Sequence, residues 1–180
     1  VYAGHDIYAG GKIESITEYP QGDLTYGILN LNYQMAAGST VLYRRRVFDE
    51  IGYFDAAFER HQDVEFLIRY LRKYKIAVIP EQLVRVHRIK GKISAKKIAK
   101  TKEQFLEKFQ EDIDKLGKKR ASEIRARHWL DVARVYVDQG DKKAGWQYLK
   151  RSLGFRILHS ARYPLPLSEK YLIILLGLIK

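Results

Sequence analysis

What most constrains the fold of this chain is a change of hydrophobic rhythm near Ser94. Before it, short β-prone runs alternate with short helical ones and Gly-containing turns. After it come long helical patterns rich in Lys, Glu, Leu and Ala. The order of elements in the first part predicts an α/β sandwich with a mixed sheet over residues 1–94. The second part predicts an all-helical extension over residues 95–180.

Within the first part, Val1–Gly4 reads as the end of a buried strand stopped by Gly4, and Lys12–Tyr19 as a strand ending at Pro20. A chain that opens in mid-strand, without Met or a targeting segment, is expected to be a portion of a longer polypeptide. Asp23 is placed to cap a short helix, "LTYGILN"; "STVLYR" (Ser39–Arg44) is β-prone; and "RRVFDEIG" (Arg45–Gly52) is a short helix with Gly52 at its C′ position. From Asp63 to Tyr74, Val64, Leu67, Ile68 and Leu71 share one helical face. "KIAVIP" (Lys75–Pro80) predicts a strand buried on both faces, and "QLVRVHR" (Gln82–Arg88) a strand nearer an edge.

In the second part, Ser94 can cap a helix running to about Leu116 and ended by Gly117. Ala121–Gln139 and Asp141–Leu153 then predict an αα-hairpin across a Gly140–Asp141 turn. Trp129, Ala133, Tyr136 and Gly140 stand at spacings like those of a tetratricopeptide repeat, over about residues 121–153. One such unit predicts a helical cap and not a solenoid. The run Tyr171–Ile179 is apolar all round, yet about half the ~20 residues a membrane-spanning helix needs. It can bury against its own domain, lie in a membrane interface, or continue beyond this chain.

The chain has no cysteine, which excludes a disulfide scaffold, thiol catalysis and Cys-ligated zinc, and fits a reducing compartment. Its formal charge is +12, and Arg85–Lys102 holds eight Lys/Arg and no Asp/Glu. The charge favours an anionic partner such as nucleic acid, anionic lipid or a phosphorylated ligand, although a basic run is also an ordinary solvated face.

Asp63 carries the sharpest chemical question. A carboxylate at a helix N-terminus can simply cap free N–H groups, typically worth ~1 kcal/mol. The same position presents a carboxylate at the end of a rigid element, where the dipole favours the ionised form needed by a general base. His61 and Gln62 in the preceding loop are polar groups of the kind that line sites. Glu65 completes D-x-E, but residues two apart on a helix point about 200° apart, so the pair is a poor cation site. Asp112-x-Asp114 lies inside a helical pattern with no strand before it and reads as a coincidental D-x-D. There is no zinc spacing of histidines, no Walker A loop, no G-x-G-x-x-G and no G-x-S-x-G. Tyr residues interleaved with Arg raise single-stranded nucleic acid, but they lie in core-like segments and no RNP-type motif is present.

The segment Ala36–Ser94, with "GSTVLYRR", "IGYFD", "QDVEFLIRY", "KIAVIPEQLVRVHR" and a closing "IS" in that order, resembles the acceptor-side half of family 2 glycosyltransferases of GT-A fold. The family phrase places Gln-Asp before a helix with an Arg six residues on, matched by Gln62, Asp63 and Arg69. The resemblance implies a partial GT-A-like sandwich and inverting sugar transfer, with Asp63 as catalytic base. A nucleotide-sugar is the implied donor and a saccharide or lipid-linked molecule the acceptor. Ala37, Gly38, Ser39 and Thr40 would line the donor-sugar and acceptor region, with His61 and Gln62 beside the acceptor.

A divalent metal, Mg²⁺ or Mn²⁺, would neutralise the leaving diphosphate. The family's nucleotide-binding half and its D-x-D ligands are absent from this chain, so the 180 residues alone are expected to be inactive. Some relatives use a late His on the metal. His87 is the nearest candidate, although Ile89 fits the same register and a solvent-facing strand histidine is the simpler reading. Arg69 reads as a structural ion-pair or helix-face residue.

These readings place the chain in polysaccharide or glycoconjugate synthesis of the cell envelope, in the cytoplasm or peripherally at the inner face of the membrane. The basic run would face lipid phosphate or an anionic surface. The alternative is a non-catalytic basic helical module that docks a protein partner or an anionic membrane. Nucleic acid binding rests on charge alone.

Overall fold

A computed structural model describes residues 1–33, 35–87 and 94–157. The chain divides into two compact units, Val1–Lys92 and Ile93–Lys180.

The first unit is α/β. Its three strands, β1 (Tyr2–Ala9), β2 (Lys12–Ile16) and β3 (Val78–His87), form a mixed sheet in the order β2-β1-β3. β1 and β2 are a tight antiparallel hairpin in which Ala9 faces Lys12 across Gly10 and Gly11. Both glycines have positive φ, +57° and +80°, the geometry of a two-residue turn that follows strand twist. Gly4 does not stop β1. A Cβ there would lie 2.7 Å from the Glu81 carbonyl, so glycine is what allows β3 to approach.

β1 pairs in parallel with β3, and the ladder steps from Ala3↔Ile79 to Gly4↔Gln82. Pro80 falls in that irregularity, where its missing N–H costs no ladder bond. The two strands expected on either side of Pro80 are therefore one. Nor is "KIAVIP" buried on both faces: Ile79 is 38% exposed, as an edge position allows, and only Ile76 is fully inside, bridging Gly22.

Between β2 and β3 run α1 (Thr25–Leu29), α2 (Ala37–Thr40), α3 (Arg45–Ile51) and α4 (Gln62–Leu71). Asp23 accepts a hydrogen bond from the Thr25 N–H at 3.0 Å, which holds its carboxyl below the ordinary range. Gly52 ends α3 with φ +80° and donates to the Phe48 carbonyl, as its sequence position suggested. "STVLYR" is not a strand: its first residues close the single turn α2, and only Val41 touches the sheet, in a bridge to Tyr2. The amphipathic face of α4 buries Phe66, Leu67 and Ile68 completely, beside Leu29 of α1 and Val47 of α3. Each such side chain contributes about 1.5–3 kcal/mol on burial.

The second unit is helical: α5 (Ala95–Lys108), α6 (Gln110–Lys115), α7 (Lys118–Asp138) and α8 (Lys142–Ile157). Ser94 caps α5, accepting from the Lys97 N–H, and Asp141 accepts from the Ala144 N–H at 3.0 Å. The helix expected to run from Ser94 to Leu116 breaks at Phe109, whose backbone leaves helical geometry while its ring is fully buried beside Phe105. Gly117 and Gly140, with φ +85° and +87°, end α6 and α7.

α7 and α8 pack as a hairpin around Leu130, Ala133 and Leu149, with Tyr148 stacked on Tyr136 and Trp129. A Cβ on Gly145 would lie 2.6 Å from Val137 Cγ2, and Val137 is β-branched and stiff. Gly145→Ala should therefore lower the thermal midpoint, although Ala is favoured by about 1 kcal/mol in an open helix. Thermal unfolding followed by circular dichroism reads the sign, and a raised midpoint refutes the close approach.

Lys102, 5% exposed on α5, pairs with Asp131 of α7 at 3.4 Å. Burial raises the Asp131 carboxyl, but Lys102 and Arg134 outweigh it and hold the group below the ordinary 3.8. A depressed folded-state pKa stabilises above the unfolded value and is lost as pH falls through the folded one. Stability should thus decline as pH drops below about 4, and Asp131→Asn should flatten that decline in urea titrations at stepped pH.

The apolar run Tyr171–Ile179 and Arg88–Ile93 of the basic run lie outside the described residues. Among the described residues, no helix is long and apolar enough to cross a membrane.

Candidate active site around Asp63

α4 begins on an unusual residue. His61, at its N-cap, has φ +65°, a left-handed conformation uncommon outside glycine, and its carbonyl accepts the Glu65 N–H at 2.9 Å. This kink turns the chain from the "AAFERHQ" loop into the helix and sets Gln62 and Asp63 on the first turn, both half-buried.

Asp63 does not cap its own helix. Its Oδ2 accepts a hydrogen bond of 2.8 Å from the backbone N–H of Gly38, 25 residues earlier. A local cap is thus replaced by a tertiary bond that ties α4 to α2. The fit is close: a Cβ on Gly38 would stand 3.1 Å from Asp63 Oδ2. Oδ1 accepts no hydrogen bond among the described residues.

The α2 turn is itself held firmly. Ala36 enters it with φ +44°, and the Thr40 hydroxyl donates to the Met35 carbonyl at 2.5 Å. Ala37 and Thr40 point inward, at 8% and 6% exposure, so they build the turn, whereas Gly38 and Ser39 are exposed. The structure thus brings together Asp63, Gln62 and His61 from one segment with Gly38 and Ser39 from another.

Glu65 and Arg69 tie α4 to the loop before it. Glu65 is fully buried, and Arg69 meets it through two parallel bonds, Nε to Oε1 at 2.6 Å and Nη2 to Oε2 at 2.9 Å. Arg69 also donates to the carbonyls of Ile51 and Tyr53 and lies over the Phe66 ring. One guanidinium therefore binds the "IGYF" loop to the helix that carries Asp63, the structural ion pair expected of Arg69. Glu65 faces inward and takes no part in a D-x-E pair.

Tyr43 was not singled out in the sequence, where it sits inside an apparent strand. Its ring meets Phe66 edge-on at 4.9 Å, and its buried hydroxyl has no hydrogen-bond partner among the described residues. Burial, then the negative charge of Asp63, then Tyr70 push its phenol well above the ordinary value. The chemical signal, a neutral phenol in electrostatic reach of Asp63, exists only in three dimensions.

His87 lies elsewhere. It pairs with Tyr8 at the far end of β1 from Tyr2, whereas α2 reaches the sheet at the Tyr2–Val41 bridge. Six residues of strand separate the two ends, about 20 Å. His87 is exposed, with its ring 5.1 Å from that of Tyr8. Among the described residues no group of three or more His, Asp or Glu is placed to hold a metal ion.

No protein-family model, curated protein or solved structure matches this chain.

Proposed function

We propose that this chain is the acceptor-side part of an inverting glycosyltransferase with a GT-A-like fold, acting at the cytoplasmic face of the membrane in polysaccharide or glycoconjugate synthesis. The observation that carries the reading is the Gly38–Asp63 hydrogen bond. It joins the two segments whose sequences suggested donor-sugar contact and base catalysis, and it fixes one carboxylate oxygen while leaving the other available.

In the reaction, Asp63 Oδ1 accepts the proton of an acceptor hydroxyl. The acceptor oxygen forms a bond to the anomeric carbon of a nucleotide-sugar. The bond from that carbon to the diphosphate oxygen breaks, and the diphosphate leaves with the electron pair from the opposite face, inverting the centre. Gly38 N–H and the Arg69 clamp hold the base in place, and exposed Ser39 with half-buried Gln62 offers polar contacts to the sugars.

The test is the anomeric configuration of the product formed by the complete gene product from ¹³C-labelled nucleotide-sugars, read by NMR. An α-linked donor should give a β-linked product. Retention of configuration, or no transfer from any donor tried, overturns the proposal.

A further inference from the structure

A cleft of about 260 Å³ opens in the first unit, where β1 and β2 meet the segment leading into α2. Its lining residues include Tyr2, Tyr19 and Tyr33, the acidic Glu14 and Glu18, Asn32 and His5. Its size is just under the ~300–1,000 Å³ of common small-molecule pockets, which suits one or two rings.

Its charge runs against the rest of the chain. The protein has 33 Lys/Arg against 21 Asp/Glu, yet none of the described lining residues is Lys or Arg. A phosphate or carboxylate ligand would meet two acidic residues and no Lys or Arg, with the imidazole of His5 the remaining basic side chain among the described lining residues. The cleft therefore selects against the anions that the remaining surface attracts.

The tyrosines are seated by the backbone. A Cβ on Gly27 would fall 1.9 Å from Tyr33 Cε2, and one on Gly4 would fall 2.9 Å from Tyr19 Cε1. Glycine inside a helix or strand costs about 0.5–1 kcal/mol relative to alanine. Here that cost sets two aromatic rings against the backbone. The third, Tyr2, is fixed by its hydroxyl, which donates to the Pro20 carbonyl at 2.6 Å.

We propose that this cleft binds a neutral saccharide unit. The C–H face of a pyranose packs against an aromatic ring, whose π-face is negative. Its hydroxyls donate to Glu14 and Glu18 in charge-assisted hydrogen bonds, and Asn32 can both donate and accept. Met35 also lines the cleft, and its carbonyl accepts the Thr40 hydroxyl in the turn that holds Asp63. That the bound sugar is part of the acceptor rests on the transfer reading above; that the cleft binds a sugar does not.

The experiment is a glycan array of neutral, acidic and amino glycans probed with the 180-residue chain, followed by titration calorimetry with the best neutral glycan. Retention of neutral glycans is expected. Glu14→Gln with Glu18→Gln, both exposed positions, should leave the thermal midpoint in place and weaken binding at least about tenfold. Glycan binding by the 180-residue chain, with no transfer to that glycan by the complete gene product from any donor tried, would refute the enzyme reading and spare the cleft. Retention of acidic or amino glycans alone, no retention at all, or neutral binding indifferent to the double variant overturns the proposal.

Discussion

Asp63→Asn is expected to lower the transfer rate of the complete gene product by about 10²–10⁴-fold while leaving its unfolding midpoint nearly unchanged. The two effects separate because the two carboxylate oxygens do different work. Oδ2 takes the Gly38 N–H, and an asparagine carbonyl can accept the same bond at the same place. An amide cannot take a proton from an acceptor hydroxyl at neutral pH. The loss should appear in kcat with KM little changed, since proton transfer matters only on the way to the transition state. Asp63→Ala would remove the anchor as well and lower the midpoint. Near-normal turnover by the asparagine variant removes Asp63 from the role of base.

Arg69→Met should destabilise the first unit by about 3–5 kcal/mol, measured by urea unfolding. The side chain leaves behind a carboxylate with no exposure, and two loop carbonyls lose their donor. A buried ion pair is not by itself strong evidence of stability, because desolvation offsets much of the attraction. Removing one partner alone is what costs. Glu65→Met together with Arg69→Met should therefore recover most of the loss, with the loop at Ile51–Tyr53 still loosened. A single variant as stable as the parent would show that Glu65 can be neutral in the fold.

Signals that act within a few residues were readable in the sequence. Ser94 and Asp141 cap the helices they precede, and Gly52, Gly117 and Gly140 end the helices they follow, because those bonds and positive φ angles are local. Of the α4 face expected from its period, Leu67, Ile68 and Leu71 are buried, while Val64 is half-buried and Glu65 and Phe66 are inside instead. Signals that depend on a distant partner were not readable. Asp63 has the chemistry of a cap, and only the approach of Gly38 diverts it. "STVLYR" has strand propensity, but α2 needs its first residues, and tertiary packing overrides a preference worth about 1 kcal/mol. Gly4, which pairs with Gln82, and Pro80, which is skipped, each a stop in sequence, both fall where the ladder slips, so one irregularity accommodates both. In the candidate site, Asp63 and Arg69 were singled out in the sequence, and Gly38 only through the resemblance. Tyr43 was not, since nothing local marks its approach to Asp63.

That slip in the β1–β3 ladder also bears on how the molecule behaves in a crowded solution. β3 is an edge strand of ten residues with an exposed Leu83, the kind of surface along which two copies can zip together. Pro80 deletes one donor from that edge, and the bulge bends the row of remaining groups out of line. A neighbouring strand would find no straight ladder to extend. The irregularity that hides Pro80 from its own sheet thus also makes that edge a poor template for another copy.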